Sequence, residues 1–230
     1  MNPTPLSDET LDPFFSGSLR ILQKKRGYRF SIDAVLLSQF IKIQKEEKAI
    51  DLGTGCGIIP LLLSQTTKGT SFIGIEIQKG LVELAKKNVL LNHLQDRISI
   101  LHEDYKNAKN IFSPGSFDVV FSNPPYRKFL TGRTNPSLEK AIARHEIEGT
   151  LEELIGIISY LLPTKGRGYL IYPASRMLDL IVGLRNKKVE PKRLQLVYPH
   201  SDEEAKFVLI EAIKSSGVAL EVIPPQILPK

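Results

Sequence analysis

Residues 48–57 read Lys48-Ala49-Ile50-Asp51-Leu52-Gly53-Thr54-Gly55-Cys56-Gly57, a mainly apolar run that stops in three glycines at alternate positions. A short apolar run bounded by glycine predicts a buried strand that ends in a tight turn. Glycine at such a turn permits positive φ and lets a backbone approach a ligand closely. The next residues, IIPLLLSQ (58–65), predict a helix. The stretch is therefore a strand–loop–helix unit of the kind from which α/β sheets are built.

Downstream the unit repeats. TSFIGIE (70–76) reads as a strand, KGLVELAKKNVLLN (79–92) as a helix and RISILH (97–102) as a strand. After a linking segment come strand FDVVFS (117–122), a long polar loop to residue 137, and helices near 139–146 and 150–162. Strand RGYLIYP (167–173) and helix SRMLDLIVGLRNK (175–187) follow. The last two strands, RLQLVYP (193–199) and KFVLIEAIK (206–214), are separated only by HSDEEA, too few residues for a crossover helix, so they should pair antiparallel. VALEVI (218–223) is a candidate for one further strand. Repeated units predict a doubly wound, mostly parallel, seven-stranded sheet with helices on both faces and one antiparallel edge strand. Upstream, SLRILQ (18–23) and YRFS (28–31), joined by KKRG, predict a hairpin, and Asp33 stands where a helix cap belongs before AVLLSQFIKI (34–43). Residues 1–45 thus form an N-terminal hairpin and helix packed on a main domain of residues 46–230.

A chain of 230 residues, 42% hydrophobic and 24% charged, suits one sizeable core. No apolar tract is long enough to span a bilayer, and the first fifteen residues lack the basic start and apolar stretch of a secretory signal. The single cysteine, Cys56, makes no internal disulfide, which fits a reducing cytoplasm. The net charge of +6 and the pI near 9.3 lean toward an anionic partner. Basic residues cluster at Lys24 to Arg29 (including Arg26), at Arg127, Lys128 and Arg133, and at Arg185 to Arg193. Nucleic-acid contact and plain solvated surface are both open readings of such clusters.

In a doubly wound sheet the ligand lies beyond the carboxyl ends of the strands. Glu76 ends the second strand, 25 residues on from Asp51, a spacing that suits a carboxylate accepting from ribose hydroxyls. A dinucleotide fingerprint needs glycine at the sixth place of G-x-G-x-x-G; counted from Gly53 that place holds Ile58, and from Gly55 it holds Pro60. A nucleoside ligand without a pyrophosphate fits better, and S-adenosylmethionine is such a ligand. Asp104, just past the third strand, is placed to accept from an adenine amine, or to cap a turn.

Asn123-Pro124-Pro125-Tyr126 follows the fourth strand directly. Two prolines fix φ and remove competing amide donors, so the Pro124 carbonyl is held in place while Asn123 offers a second oxygen acceptor. Two acceptors converging on one –NH2 favour its pyramidal form and stabilise the positive charge that builds during attack. Tyr126 supplies an aromatic platform. This equipment suits methylation of a planar amine without a strong base; the bland alternative is a Pro-Pro turn. Cys56 is set aside as a nucleophile because no histidine is near it in sequence, and His145 reads as a surface or core residue. His93, His102 and Cys56 lack metal-ligand spacing, so no metal is expected.

DLGTGCG together with NPPY resembles the amino-directed class I methyltransferases. GYRFSIDAVLL, AIARHEI, LIYPASRMLDLI and EPKRLQLVYP resemble the bacterial tRNA1(Val) adenine-N6-methyltransferase family, from about Leu19 to Pro225. The resemblance implies a Rossmann-like methyltransferase fold and methylation of the adenosine amine at tRNA position 37. It further implies that Asp51, Gly53, Thr54 and Gly55 cradle the amino-acid half of S-adenosylmethionine. Glu76 with Ile77 would meet the ribose, and Asp104 the adenine. Asn123 to Tyr126 would hold the target base, and Arg29 to Asp33 would close over the methionine end. Arg26, Arg29, Arg127, Lys128 and Arg133 would meet tRNA phosphates. A guanine amine in ribosomal RNA, a protein glutamine, and a catalytically silent binding protein are the competing readings.

Overall fold

Alternation along the strands decides which layer each side chain joins, because successive residues of a strand point to opposite faces. In the computed structural model, which describes residues 4–14, 17–26, 29–124 and 150–228, Ala49, Val119, Phe121, Tyr169 and Ile171 enter one core cluster. Their chain neighbours Ile50, Val120, Leu170 and Tyr172 enter another on the opposite face. Both faces are apolar, so helices cover both.

The elements follow in the order β1 (Glu9–Phe14), β2 (Leu19–Lys24), α1 (Ile32–Phe40), β3 (Lys48–Leu52), α2 (Ile58–Thr66), β4 (Ser71–Glu76), α3 (Lys79–Leu91) and β5 (Ile98–His102). Then come a 3-10 turn (Tyr105–Asn107), α4 (Ala108–Ile111), β6 (Val119–Ser122), α5 (Leu151–Leu161), β7 (Arg167–Pro173), α6 (Met177–Asn186), β8 (Val189–Tyr198), β9 (Phe207–Lys214), β10 (Glu221–Val222) and β11 (Gln226–Ile227). Side chains of α1, α2 and α3 fill the first core cluster; those of α4, α5 and α6 fill the second. Helix α5 opens with a capping box in which Thr150 and Glu153 satisfy each other's backbone amides.

The long strands lie in the order β8-β9-β7-β6-β3-β4-β5. All are parallel except β9, which runs antiparallel to both β7 and β8. The expected reversed strand therefore sits one place in from the edge. Its run Phe207–Ile210 is buried at every position, as an interior strand requires, whereas β8 is buried at only four of its ten residues. Two short strips, β10 within the candidate segment 218–223 and the unexpected β11, pair in parallel with β8 along its outer edge. Among the described residues no helix is long and apolar enough to cross a membrane.

The N-terminal hairpin differs from expectation. Its strands are β1 and β2, registered from Glu9 opposite Lys24 to Phe14 opposite Leu19, so residues 19–23 pair with the preceding segment; of the expected partner 28–31, Tyr28 lies outside the described residues and 29–31 form no strand. Strand β1 (ETLDPF) shows no apolar alternation and carries Pro13, which hid it. The N-cap of α1 is Ser31; Asp33 lies in the first turn, and the Ser31 hydroxyl donates to its carboxylate.

Helix α3 holds the hairpin through two asparagines one turn apart. Asn92 accepts from the Arg20 amide at 2.9 Å and donates to the Arg20 carbonyl at 2.7 Å. Asn88 does the same for Leu22, at 2.7 and 3.1 Å. Four residues of helix rise ~6 Å and two residues of strand about 6.7 Å, so side-chain amides at this spacing stand in for a neighbouring strand. An ion pair between Lys87 and Glu9, at 2.8 Å, closes the far side of the hairpin.

Candidate active site

The register brings the carboxyl ends of four strands together: Leu52 lies opposite Ile75, Glu76 opposite His102, and Asp51 opposite Phe121. The glycine loop, Glu76, Ile77, Asp104 and Asn123 consequently emerge on one rim of the sheet. The amides of Gly53 and Thr54 both donate to the Ile75 carbonyl at 2.9 Å. The loop then bends through Gly53, Gly55 and Gly57 at φ of 79°, 58° and 80°, the left-handed region that L side chains resist. Glu76 ties this loop to the next one, because its carboxylate accepts from the Gly55 amide and the Gln78 amide, each at 2.9 Å. Burial raises the Glu76 pKa, and these amides oppose the rise. The His102 ring meets the Ile77 carbonyl at 3.0 Å, which fixes the backbone next to Glu76.

Asp51 is fully buried, and neither of its carboxylate oxygens has a hydrogen-bond partner among the described residues. The buried Thr54 hydroxyl likewise lacks one. Burial pushes the Asp51 pKa up to about 7; the nearby Thr54 hydroxyl lowers it and the Glu76 charge adds to the rise. A buried carboxylate without a partner is costly, and either protonation or a cationic ligand at the glycine loop relieves it. Gly53 is exposed, and a Cβ built on it would meet nothing within 4 Å, so the loop opens onto free space there.

Gly74 lies against the glycine loop and is not among the residues expected from the sequence. It lies opposite Asp51 in the sheet, and a Cβ at Gly74 would come within 2.8–2.9 Å of the Thr54 side chain. A lone glycine inside a strand, as in TSFIGIE, is the signal that could have found it. Gly74→Ala is expected to push Thr54 and the loop outward and to weaken S-adenosylhomocysteine binding roughly tenfold, in line with about 1–3 kcal/mol for overpacking. Titration calorimetry reads this directly, and unchanged affinity would remove Gly74 from the site.

Asn123 follows β6 and is half-buried, with Pro124 buried behind it. The Ser122 hydroxyl donates to the Leu52 carbonyl at 2.6 Å, so the residue before Asn123 is bonded to the residue before Gly53. Asp104 caps the 3-10 turn, accepting from the Lys106 amide at 2.9 Å, with the Lys106 ammonium 3.3 Å from its other oxygen. Asp33 is buried in the first turn of α1, which packs on α2, the helix that leaves the glycine loop. Burial pushes the Cys56 thiol up to about 12, which leaves it protonated and inert as a nucleophile. Pro125, Tyr126, Arg127, Lys128, Arg133 and His145 lie outside the described residues, as does the expected helix near 139–146. Arg26 is exposed. Arg29 is tied back to the hairpin, donating to Thr10 at 2.9 Å and to Asp12 at 3.0 Å. In the stretch from 185 to 193, Arg185 pairs with Glu190, Lys187 with Glu152 and Arg193 with Glu211, so much of that cluster is neutralised within the fold.

Residues 30–150 match the family model described as the methyltransferase small domain. The chain belongs to the methyltransferase small-domain family. Relatives of this methyltransferase include a protein of Flavobacteriaceae bacterium (strain 3519-10), named tRNA1(Val) (adenine(37)-N6)-methyltransferase. It is 30% identical over 202 residues, which are 82% of this chain and 84% of the relative. A protein of the same name from Parabacteroides distasonis is 27% identical over 223 residues, 92% of this chain and 91% of the relative. Among solved structures, a predicted O-methyltransferase from Agrobacterium tumefaciens has a TM-score of 0.68 at 21% identity, covering 85% of this chain and 86% of its own. The geranyl diphosphate C-methyltransferase of Streptomyces coelicolor A3(2), solved with S-adenosyl-L-homocysteine, has a TM-score of 0.60 at 12% identity, covering 80% of each chain. S-adenosylmethionine is the methyl donor that the sequence leads one to expect. The unpartnered Asp51 carboxylate and the open space at Gly53 suit that ligand, whose amino-acid half carries an ammonium group.

Proposed function

We propose that this methyltransferase transfers a methyl group from S-adenosylmethionine to the exocyclic amine of adenine in tRNA, at position 37 of a valine tRNA. The observation that carries the catalytic part is the Ser122–Leu52 hydrogen bond, which fastens Asn123-Pro124 beside the glycine loop. The relatives' shared name supports the tRNA adenine as acceptor.

In this reading Asp51, Gly53, Thr54 and Gly55 hold the amino-acid half of the donor, with Asp33 beside them. Glu76 and Ile77 hold the ribose, and Asp104 meets the adenine. S-adenosylmethionine supplies an electrophilic methyl on a sulfonium. The Asn123 side-chain oxygen and the Pro124 carbonyl accept the two protons of the target amine. This grip draws the nitrogen lone pair out of conjugation and points it at the methyl. As the N–C bond forms, the C–S electrons return to sulfur, and the extra proton on nitrogen passes to water. Pro125 contributes by having no N–H to compete, and Tyr126 by stacking on the base. An adenine in a loop must first be splayed out, which aromatic stacking partly offsets. Arg26, Arg29, Arg127, Lys128 and Arg133 would steer tRNA phosphates.

The test is mass spectrometry of nucleosides from tRNA of cells with and without the gene. Loss of N6-methyladenosine at position 37 of the valine tRNA is expected, with restoration by the purified protein and S-adenosylmethionine. Label transferred to ribosomal RNA or to protein glutamine, with tRNA unlabelled, would replace this reading.

A further inference from the structure

The loop residue Cys56 stands between two glycines, both with positive φ, so its neighbours place few steric limits on where its carbonyl points. Within the loop the Gly57 amide, in the same peptide plane as that carbonyl, donates to the Thr54 carbonyl at 3.0 Å, and Asn88 ties the Cys56 carbonyl to the rest of the fold. Asn88 is 0% exposed, and its side-chain nitrogen donates to the Cys56 carbonyl at 3.0 Å while also donating to the Leu22 carbonyl at 3.1 Å. Its oxygen accepts from the Leu22 amide at 2.7 Å. Both amide protons are therefore spent, one on the glycine loop and one on β2.

We propose that Asn88 is a positioning residue for donor binding: it anchors the glycine loop at Cys56 to the N-terminal hairpin at Leu22, which makes the hairpin part of the apparatus that shapes the donor site. A loop of three glycines loses much conformational entropy when a ligand orders it. Fixing Cys56 beforehand removes part of that loss and tightens binding without any contact to the ligand. The inference rests on the glycine loop as donor site and is independent of which acceptor the enzyme methylates.

The test uses the full chain and S-adenosylhomocysteine. Asn88→Ser is expected to weaken its binding about tenfold by calorimetry, since three buried backbone groups lose their partner. The KM for S-adenosylmethionine should rise in step, and kcat at saturating donor should stay within about twofold, because a preordering residue acts on binding and not on the methyl-transfer step. Asn92→Ala is the control: it also loosens the hairpin, at Arg20, but has no bond to the loop, so affinity should stay within about twofold. Equal weakening in both variants, or none in Asn88→Ser, overturns the proposal. Should Asn88→Ser fail to fold, amide exchange in the unaltered protein decides. S-adenosylhomocysteine must then slow exchange of the Leu22 amide along with the loop amides, and protection confined to the loop overturns the proposal.

Discussion

Asn123→Ala should reduce methyl transfer about a thousandfold while leaving S-adenosylhomocysteine affinity within about threefold, the size and selectivity of losing one preorganised acceptor. Alanine leaves the Pro124 carbonyl as a single acceptor, so one amine proton is ungripped and the nitrogen lone pair stays delocalised into the ring. The fold should be little changed, because the anchor of the segment is Ser122 and its bond to the Leu52 carbonyl, both untouched. Single-turnover transfer of labelled methyl, set beside calorimetry, separates the two effects. Parallel loss of both would mean that residue 123 shapes the donor site and does not hold the acceptor.

Asp51→Asn should act in opposite directions on ligand-free stability and on donor binding. The folded pKa of Asp51, about 7, lies above its ordinary value of 3.8. A carboxyl group raised in this way contributes stability below about pH 4 that is lost as pH climbs through about 7. By pH 8 the ligand-free fold gives up at most roughly 4 kcal/mol to keep this carboxylate ionised, at 1.36 kcal/mol per pKa unit. Asparagine is neutral throughout, so the variant should melt several degrees higher than the parent at pH 8, gain less at pH 5 and gain little at or below about pH 4. Donor binding should fall about a hundredfold or more, because the ammonium loses its buried counter-charge. The parent's affinity should rise from pH 6 to pH 8 as Asp51 ionises, and the variant's should stay flat. A parent affinity indifferent to pH over that range would show that Asp51 does not face the ammonium.

Most of the sheet was legible because its strands are short apolar runs set off by glycine or proline, and helices alternate with them. The expected strand at 167–173 and the observed β7 coincide. The glycine loop and Glu76 were legible because a tight turn and a strand-terminal carboxylate leave local marks. Strand β1 left none: of its six residues only Glu9 is buried, so no alternation announces it. Which partner of the terminal hairpin faces the sheet is a tertiary matter, although the unbroken apolar run in β9 carries a hint. Gly74 and Asn88 were missed for a related reason. Their importance lies in the group across from them, Thr54 for one and Cys56 with Leu22 for the other, and neither pairing has a sequence period.

The strips β10 and β11 bear on how the molecule meets other proteins. A ten-residue outer strand with bare amides and carbonyls is a template on which a stranger's chain can add itself. Here the chain's own tail occupies that template at two points, with Pro224 and Pro225 between them withholding amide hydrogens of their own. At those two points this edge of the sheet is closed to extension by a further strand.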